Sequence, residues 1–207
     1  MKITSKTNEN TYNELINFAK FIGLEQLAHG RYSSLFAHQL FDAFRSRSFS
    51  PARIIKEINA LENSSIISHT KQETMFKGPH LNGLWHKHYE QSGLQSMAIN
   101  LKKGLKRYGM PWFEEQIKKN EASGEDKYIT TSDINSIVHD IVLGHWQRLH
   151  HDRIMTGEWI IFAKYNEKNY YLSLGDHTSD DMILRKMIDE WCIEEFPFIL
   201  DILPSNN

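Results

Sequence analysis

The stretch TGEWIIFAKYNEKNYYLSLG, Thr156 to Gly175, is where the apolar pattern switches to a period of two. Trp159, Ile161 and Ala163 fall on one face of an extended segment, and Ile160, Phe162 and Lys164 on the other. After the polar Asn166-Glu167-Lys168-Asn169, a second run sets Tyr170, Leu172 and Leu174 against Tyr171 and Ser173, so the two runs predict a β-hairpin with a short turn. A two-stranded hairpin alone is marginal in water, so it must lie on helices or gain further strands. The rest of the chain reads as mostly helical. The expected class is α+β, predominantly helical, with a small antiparallel sheet near the C-terminus built on the hairpin of 156–175.

Immediately upstream, Thr131 or Ser132 caps a long predicted helix with the stripe Ile134, Ile137, Val138, Ile141, Val142, His145 and Leu149. Tyr128-Ile129-Thr130 reads as a brief strand, Pro111 to Ile117 as a short helix, and Glu121 to Lys127 as a polar loop. Leu94, Met97, Ala98, Leu101 and Leu105 mark a further amphipathic helix with the same kind of inward face. Downstream, the acceptors between Asp176 and Asp181 suit the start of a final helix that buries Ile183, Leu184, Met187, Ile188 and Trp191. Phe196-Pro197-Phe198-Ile199-Leu200 then reads as an edge strand or a docked extended tail.

The first third predicts three helices. One is capped at Thr11 with Leu15, Phe18, Ala19 and Ile22 inward, one spans Ser33 to Phe44, and one begins at Ser50-Pro51 and buries Ile54, Ile55, Ile58 and Leu61. Between Asn63 and Gly83 the periodicity fails, which marks a linker or a functional loop, and Ile66-Ile67 is a candidate extended piece. The expected organisation is a helical N-terminal region (residues 1–62), a connecting loop (63–83) and an α+β C-terminal region (84–207), which can pack as one compact domain.

With 207 residues, 40% hydrophobic and 12% aromatic, the chain is long and apolar enough to bury a core. A formal net charge of −2 gives no general attraction to nucleic acid or membrane. Cys192, the one cysteine, excludes an internal disulfide and fits a reducing compartment. No apolar run follows the N-terminal lysines and none approaches a membrane span, so the expected location is cytoplasmic.

Eleven histidines are many for this length, and GLWHKHY, Gly83 to Tyr89, is their densest setting. In an extended segment His86 and His88 point to one face and could share a zinc ion with His80 or a distant residue; in a helix they diverge. No HExxH pair is present, and neither a metal nor a small-molecule cofactor is expected.

Metal-independent RNA cleavage needs a base, an acid and a cation, which two histidines and a lysine can supply near neutral pH. His86, His88, Lys164 and His177 are the candidates for those roles, beside the plainer reading in which each is a packed or solvated side chain. Lys102, Lys103, Lys106 and Arg107 form a candidate phosphate-binding patch, although cations at a helix C-terminus also favour the helix dipole.

From about Gly83 onward, the order of helices, hairpin and extended pieces resembles the small bacterial toxin ribonucleases of the RelE and colicin type. GLWHKHY and TGEWIIFAKYNEKNYYL also look like segments of uncharacterised bacterial proteins. The resemblance implies an endoribonuclease acting on RNA, and no catalytic residue is carried over from it. The rival expectation is a non-catalytic immunity or regulatory protein, of bacterial or mobile-element origin, that binds a protein partner. Trp85, Trp112, Trp146, Trp159 and Trp191 are its candidate anchors, and the acidic end at Glu194, Glu195 and Asp201 would face a basic partner. An enzyme should gather histidines and a cation in one concave site, whereas a binder should expose an apolar patch without them.

Overall fold

The computed structural model describes residues 8–90, 94–124, 128–155, 157–176 and 179–204. The fold is α+β, with one four-stranded antiparallel sheet in the order β1 (Thr74–Met75), β2 (Trp85–Tyr89), β3 (Glu158–Tyr165), β4 (Lys168–Gly175). β3 and β4 form the expected hairpin. Its turn is only two residues, Asn166 and Glu167, both at positive φ, which matches the right-handed twist of the flanking strands.

The pairing of Ile161 with Ser173 and of Phe162 with Tyr171 leaves one extra residue on β4. This bulge breaks the expected alternation: Leu172 packs with Ile161 and Ala163, whereas Leu174 joins Ile160 and Phe162 on the other face.

One face of the sheet is covered by α1 (Glu9–Phe21), α3 (Ser34–Ser46) and α4 (Pro51–Glu62), with Leu15, Phe18, Phe36, Leu40, Ile54 and Ile58 packed against Ile160, Phe162 and Tyr171. The short α2 (Leu24–Leu27) closes this layer. The N-terminal helices therefore share one core with the sheet. Residues 31–33 run along β4, where Tyr171 N–H donates to Arg31 O at 2.8 Å and Ser33 N–H to Tyr171 O at 2.9 Å, covering that edge. The first helix is capped by Asn8, not Thr11, with Asn8 Oδ1 accepting from Thr11 N–H at 2.9 Å.

The other face is covered by α9 (Asp181–Cys192), the short α10 (Ile199–Ile202) and the segment 76–84. Phe196 and Ile199 pack here in a turn and a helix, so the predicted edge strand or extended tail is replaced by a docked helical one. Glu195, expected to face a partner, is buried and caps α3, accepting from Ser34 N–H at 2.7 Å and Ser34 Oγ–H at 2.5 Å. The outermost strand comes from the connecting segment at Thr74–Met75; Ile66 and Ile67 remain exposed outside the sheet.

The chain between the adjacent strands β2 and β3 is a helical insertion: α5 (Leu94–Tyr108), α6 (Pro111–Ser123), α7 (Thr131–His139), a π-helical turn at Asp140–Gly144, and α8 (His145–His151). Thr130, expected in a strand, instead caps α7 in a reciprocal box with Asp133. Lys71 N–H donates to Met155 O at 3.3 Å, and Thr70 bridges Met155, so the insertion returns to the sheet along the connecting segment.

Candidate functional site

β2 is extended, so His86 and His88 do share a face, with ring centroids 5.5 Å apart. Their neighbours are aromatic: the His86 ring lies 4.6 Å from Phe76 and 5.3 Å from Trp159. His88 is buried, and its Nδ1 lies 2.7 Å from Gly157 O, which assigns the proton to Nδ1 as donor. That bond pins the point where the insertion re-enters β3. A Cβ on Gly157 would stand 1.8 Å from Tyr89 O, so only glycine fits there.

Lys164 lies on the opposite face. It follows Ile160 and Phe162 in the strand alternation, its ammonium sits 4.0 Å from the centre of the Trp85 ring, and Nζ is 3.3 Å from Glu73 Oε1. The sheet thus separates His86 and His88 from Lys164, and His177 lies outside the described residues. None of these three described side chains lines either of the two recesses that meet at Arg53 and Glu90. Among the described residues, no group of three or more His, Cys, Asp or Glu side chains is arranged to hold a metal ion.

The residue between the histidines faces α4. Lys87 is buried, donates from Nζ to Lys71 O at 2.6 Å, and stands 3.6 Å from Glu57 Oε2. The same carboxylate oxygen accepts from Ser68 Oγ–H at 2.6 Å and Thr70 Oγ1–H at 3.0 Å. Burial pulls the Lys87 amine below its ordinary value, although Glu57 opposes this. This network ties the connecting segment to β2 and α4.

The cations at the end of α5 divide. Lys103 donates to Ile154 O and burial lowers its amine to about 8, with Lys71 and Arg107 adding to the effect. Arg107 lies 3.8 Å from Asp152, whose carboxylate also accepts from Tyr108 at 2.6 Å. Lys102 and Lys106 are exposed on the same helix. Half the patch therefore fastens α5 to the end of α8.

The orientation of the insertion is the main departure from the sequence reading. α5 turns its small and polar residues inward: Ser96 is 6% exposed and Asn100 4%, and Gly104 is buried against α8. A Cβ on Gly104 would lie 2.6 Å from His145 Cβ, so the helices approach too closely for a larger side chain. The expected inward face looks out, with Leu94 85% and Met97 52% exposed. On α7 and the π-helical turn, Ile134, Val138 and Leu143 are exposed too.

Charged contacts gather at the π-helical turn. Asp140 pairs with Arg148, accepts from Trp112 N–H at 3.1 Å, and Arg148 reaches His145 Nδ1 at 3.0 Å. Burial, followed by the Arg148 charge, holds the His145 imidazole below its ordinary range.

Between α5 and the π-turn–α8 segment runs a groove of about 420 Å³ walled by Met97, Leu101, Val142, Leu143, Trp146 and Met155. Arg53, Glu90, Ser96 and Asn100 supply its polar groups. Trp146 is the one tryptophan of the five with an exposed side chain, and it stacks on His150 at 5.1 Å, which in turn stacks on His69 at 3.8 Å. Sequence reasoning named Trp146 as an anchor but read Met97, Leu101 and Val142 as core. No described helix is long and apolar enough to cross a membrane. A scan of protein-family models, a search of curated proteins and a search of solved structures each return no match to this chain.

Proposed function

We propose that this chain is a non-catalytic interaction protein whose helical insertion receives an amphipathic helix of a partner protein. The observation that carries the reading is the outward apolar surface of α5, α7 and the π-helical turn around the groove of Met97, Leu101, Val142, Leu143 and Trp146. Two helices set side by side form the walls, and an apolar trough of this kind accepts a helix through side chains one turn apart. Methionine and an exposed tryptophan suit such contacts, because one adapts its shape and the other supplies a large rigid anchor. Arg53 and Glu90 can fix the direction of the guest through its end charges.

The placement of the histidines weighs against the ribonuclease expectation. Histidine acid–base cleavage of RNA calls for a histidine and a phosphate-binding cation at one scissile phosphate. His86 and His88 are packed among Phe76 and Trp159, with Lys164 across the sheet.

The test is selection of helical peptides from a displayed library on the immobilised full-length protein, with counter-selection on Met97→Lys/Leu143→Lys. The reading expects amphipathic helices that bind the wild type, shift Trp146 emission, and lose affinity at least tenfold on the double variant. Enrichment of peptides that bind both proteins equally, or self-association of the chain through this face, would remove the proposal.

A further inference from the structure

A second recess adjoins the groove, sharing only Arg53 and Glu90 with it. It is the cleft where α3 ends and α4 begins, about 820 Å³ in volume, walled by Phe44, Arg45, Arg47, Ser48, Phe49, Ser50 and Tyr89 besides the shared pair. Three guanidinium groups meet one carboxylate here, in a chain whose net charge is −2. The cleft is therefore a local positive site against the overall charge. Arg45 lies 5.6 Å from the Phe41 ring centre, and Arg53 spends one N–H on Glu90 O at 3.3 Å, which leaves further donors on its fork.

Arg47 holds φ 53°, a left-handed conformation that glycine fills most easily, so an arginine side chain is presented at the mouth where a bare turn was the easier choice. The Ser50 hydroxyl makes no capping bond to α4, whose positive end opens on the same space. Beside the arginines stands the ring of Phe44, 48% exposed, and outside the cleft wall Phe21, 75% exposed, meets it edge-on at 6.0 Å and extends the aromatic surface.

We infer that this cleft binds single-stranded nucleic acid, with Arg45, Arg47 and Arg53 on successive phosphates and Phe44 and Phe21 as a stacking platform for unpaired bases. Guanidinium forks match phosphate oxygens two at a time, and an exposed ring beside them adds an attraction to bases that a phosphate alone does not need. Concave charge with rings at its rim favours an unstacked strand over a duplex, whose bases face inward. The site adjoins the helix groove through Arg53 and Glu90, and its other residues lie outside it.

The experiment is fluorescence anisotropy of a labelled oligouridylate of about 12 nucleotides, a length within single-strand site sizes, titrated with the full-length protein. Three phosphate contacts give a salt slope of about −2, so raising salt from about 50 to about 200 mM should weaken binding roughly twentyfold. Arg45→Ala and Arg47→Gly should each lower that slope by about 0.7. Arg47→Gly relieves the left-handed backbone, so it tests binding in a protein that still folds. Phe44→Ala should weaken binding about tenfold with the slope unchanged, and Leu143→Ser should leave it intact.

Absence of saturable binding in the low-salt buffer overturns the inference. So does binding that survives the arginine variants and fails in Lys102→Ala/Lys106→Ala. Equal affinity for anionic phospholipid vesicles, with no effect of Phe44→Ala, would likewise overturn it in favour of a general polyanion surface.

Discussion

Replacing Glu57 by glutamine removes the carboxylate that pairs with the buried Lys87 ammonium while keeping an oxygen for Ser68 and Thr70 to bond. The side chains of the pair are 4% and 5% exposed, so neither charge has water to fall back on. Breaking a pair so placed costs about 3–5 kcal/mol, because the remaining ammonium stays buried with only the Lys71 carbonyl bonded to it. Lys87→Met should cost somewhat less, since the Glu57 carboxylate keeps the Ser68 hydroxyl donor and shares that of Thr70 with His88 O. The double variant leaves no unpaired charge and should lie well short of the sum, with a coupling of about 2 kcal/mol.

Urea unfolding followed by tryptophan emission reads this directly. With an m-value of about 2 kcal/mol per molar, a loss of about 4 kcal/mol moves the midpoint down by about 2 M. The sign of the pH dependence is also fixed. Burial lowers the Lys87 pKa, so without Glu57 the amine sheds its proton more easily, and the penalty of Glu57→Gln should shrink as pH is raised above neutrality. Additivity of the two single variants within about 0.5 kcal/mol would refute the reasoning, since it would mean that the charges do not feel each other.

Gly157→Ala places a methyl 1.8 Å from Tyr89 O, and since the obstacle is backbone the start of the β2–β3 pairing must open, at a cost above about 2 kcal/mol by the same unfolding assay. Burial acts to raise the Glu62 carboxyl, but bonds from Arg31 and Tyr171, the Arg31 charge and Asn169 outweigh it and hold the group below its ordinary value of 4.5. Its contribution to stability is present above the unfolded value and lost as pH falls through the lower folded one, so Glu62→Gln should cost most near neutrality and least in acid. Met97→Lys and Leu143→Lys should each change stability by no more than about 0.5 kcal/mol, as for other open positions, where inward-facing side chains would cost several times more.

The hairpin was legible because alternation and an asparagine at the turn are local signals, and Asn166 adopts positive φ at little cost. Its bulge was not. Leu172 and Leu174 part company only because the pairing with β3 slips by one residue, and a single strand carries no trace of its partner. β1 is two residues long, too short for any period, so Thr74 and Met75 were invisible among the irregular residues of the connecting segment.

The insertion teaches the sharper lesson. Periodicity showed that Met97 shares a helix face with Leu101 and Leu105, and this holds in the structure. It could not show which way that face looks. Gly104 takes the interior because its missing side chain lets α5 close on His145, and Ser96 and Asn100 follow on the same buried face, a stripe that carries little weight in an apolar pattern. Conversely, His86 and His88 were conspicuous as types, yet His88 serves the fold by holding Gly157, a role that only the folded register makes visible.

The most direct test of the binding account is photo-crosslinking in the cells that express the protein, with benzoylphenylalanine placed at Leu143 in one sample and at the exposed Lys20 of α1 in another. The account predicts one discrete adduct from position 143, absent from position 20, whose mapped partner peptide is an amphipathic helix and whose formation is abolished by Met97→Lys. A position-143 probe that yields no protein adduct, or the same adducts as position 20, would contradict it.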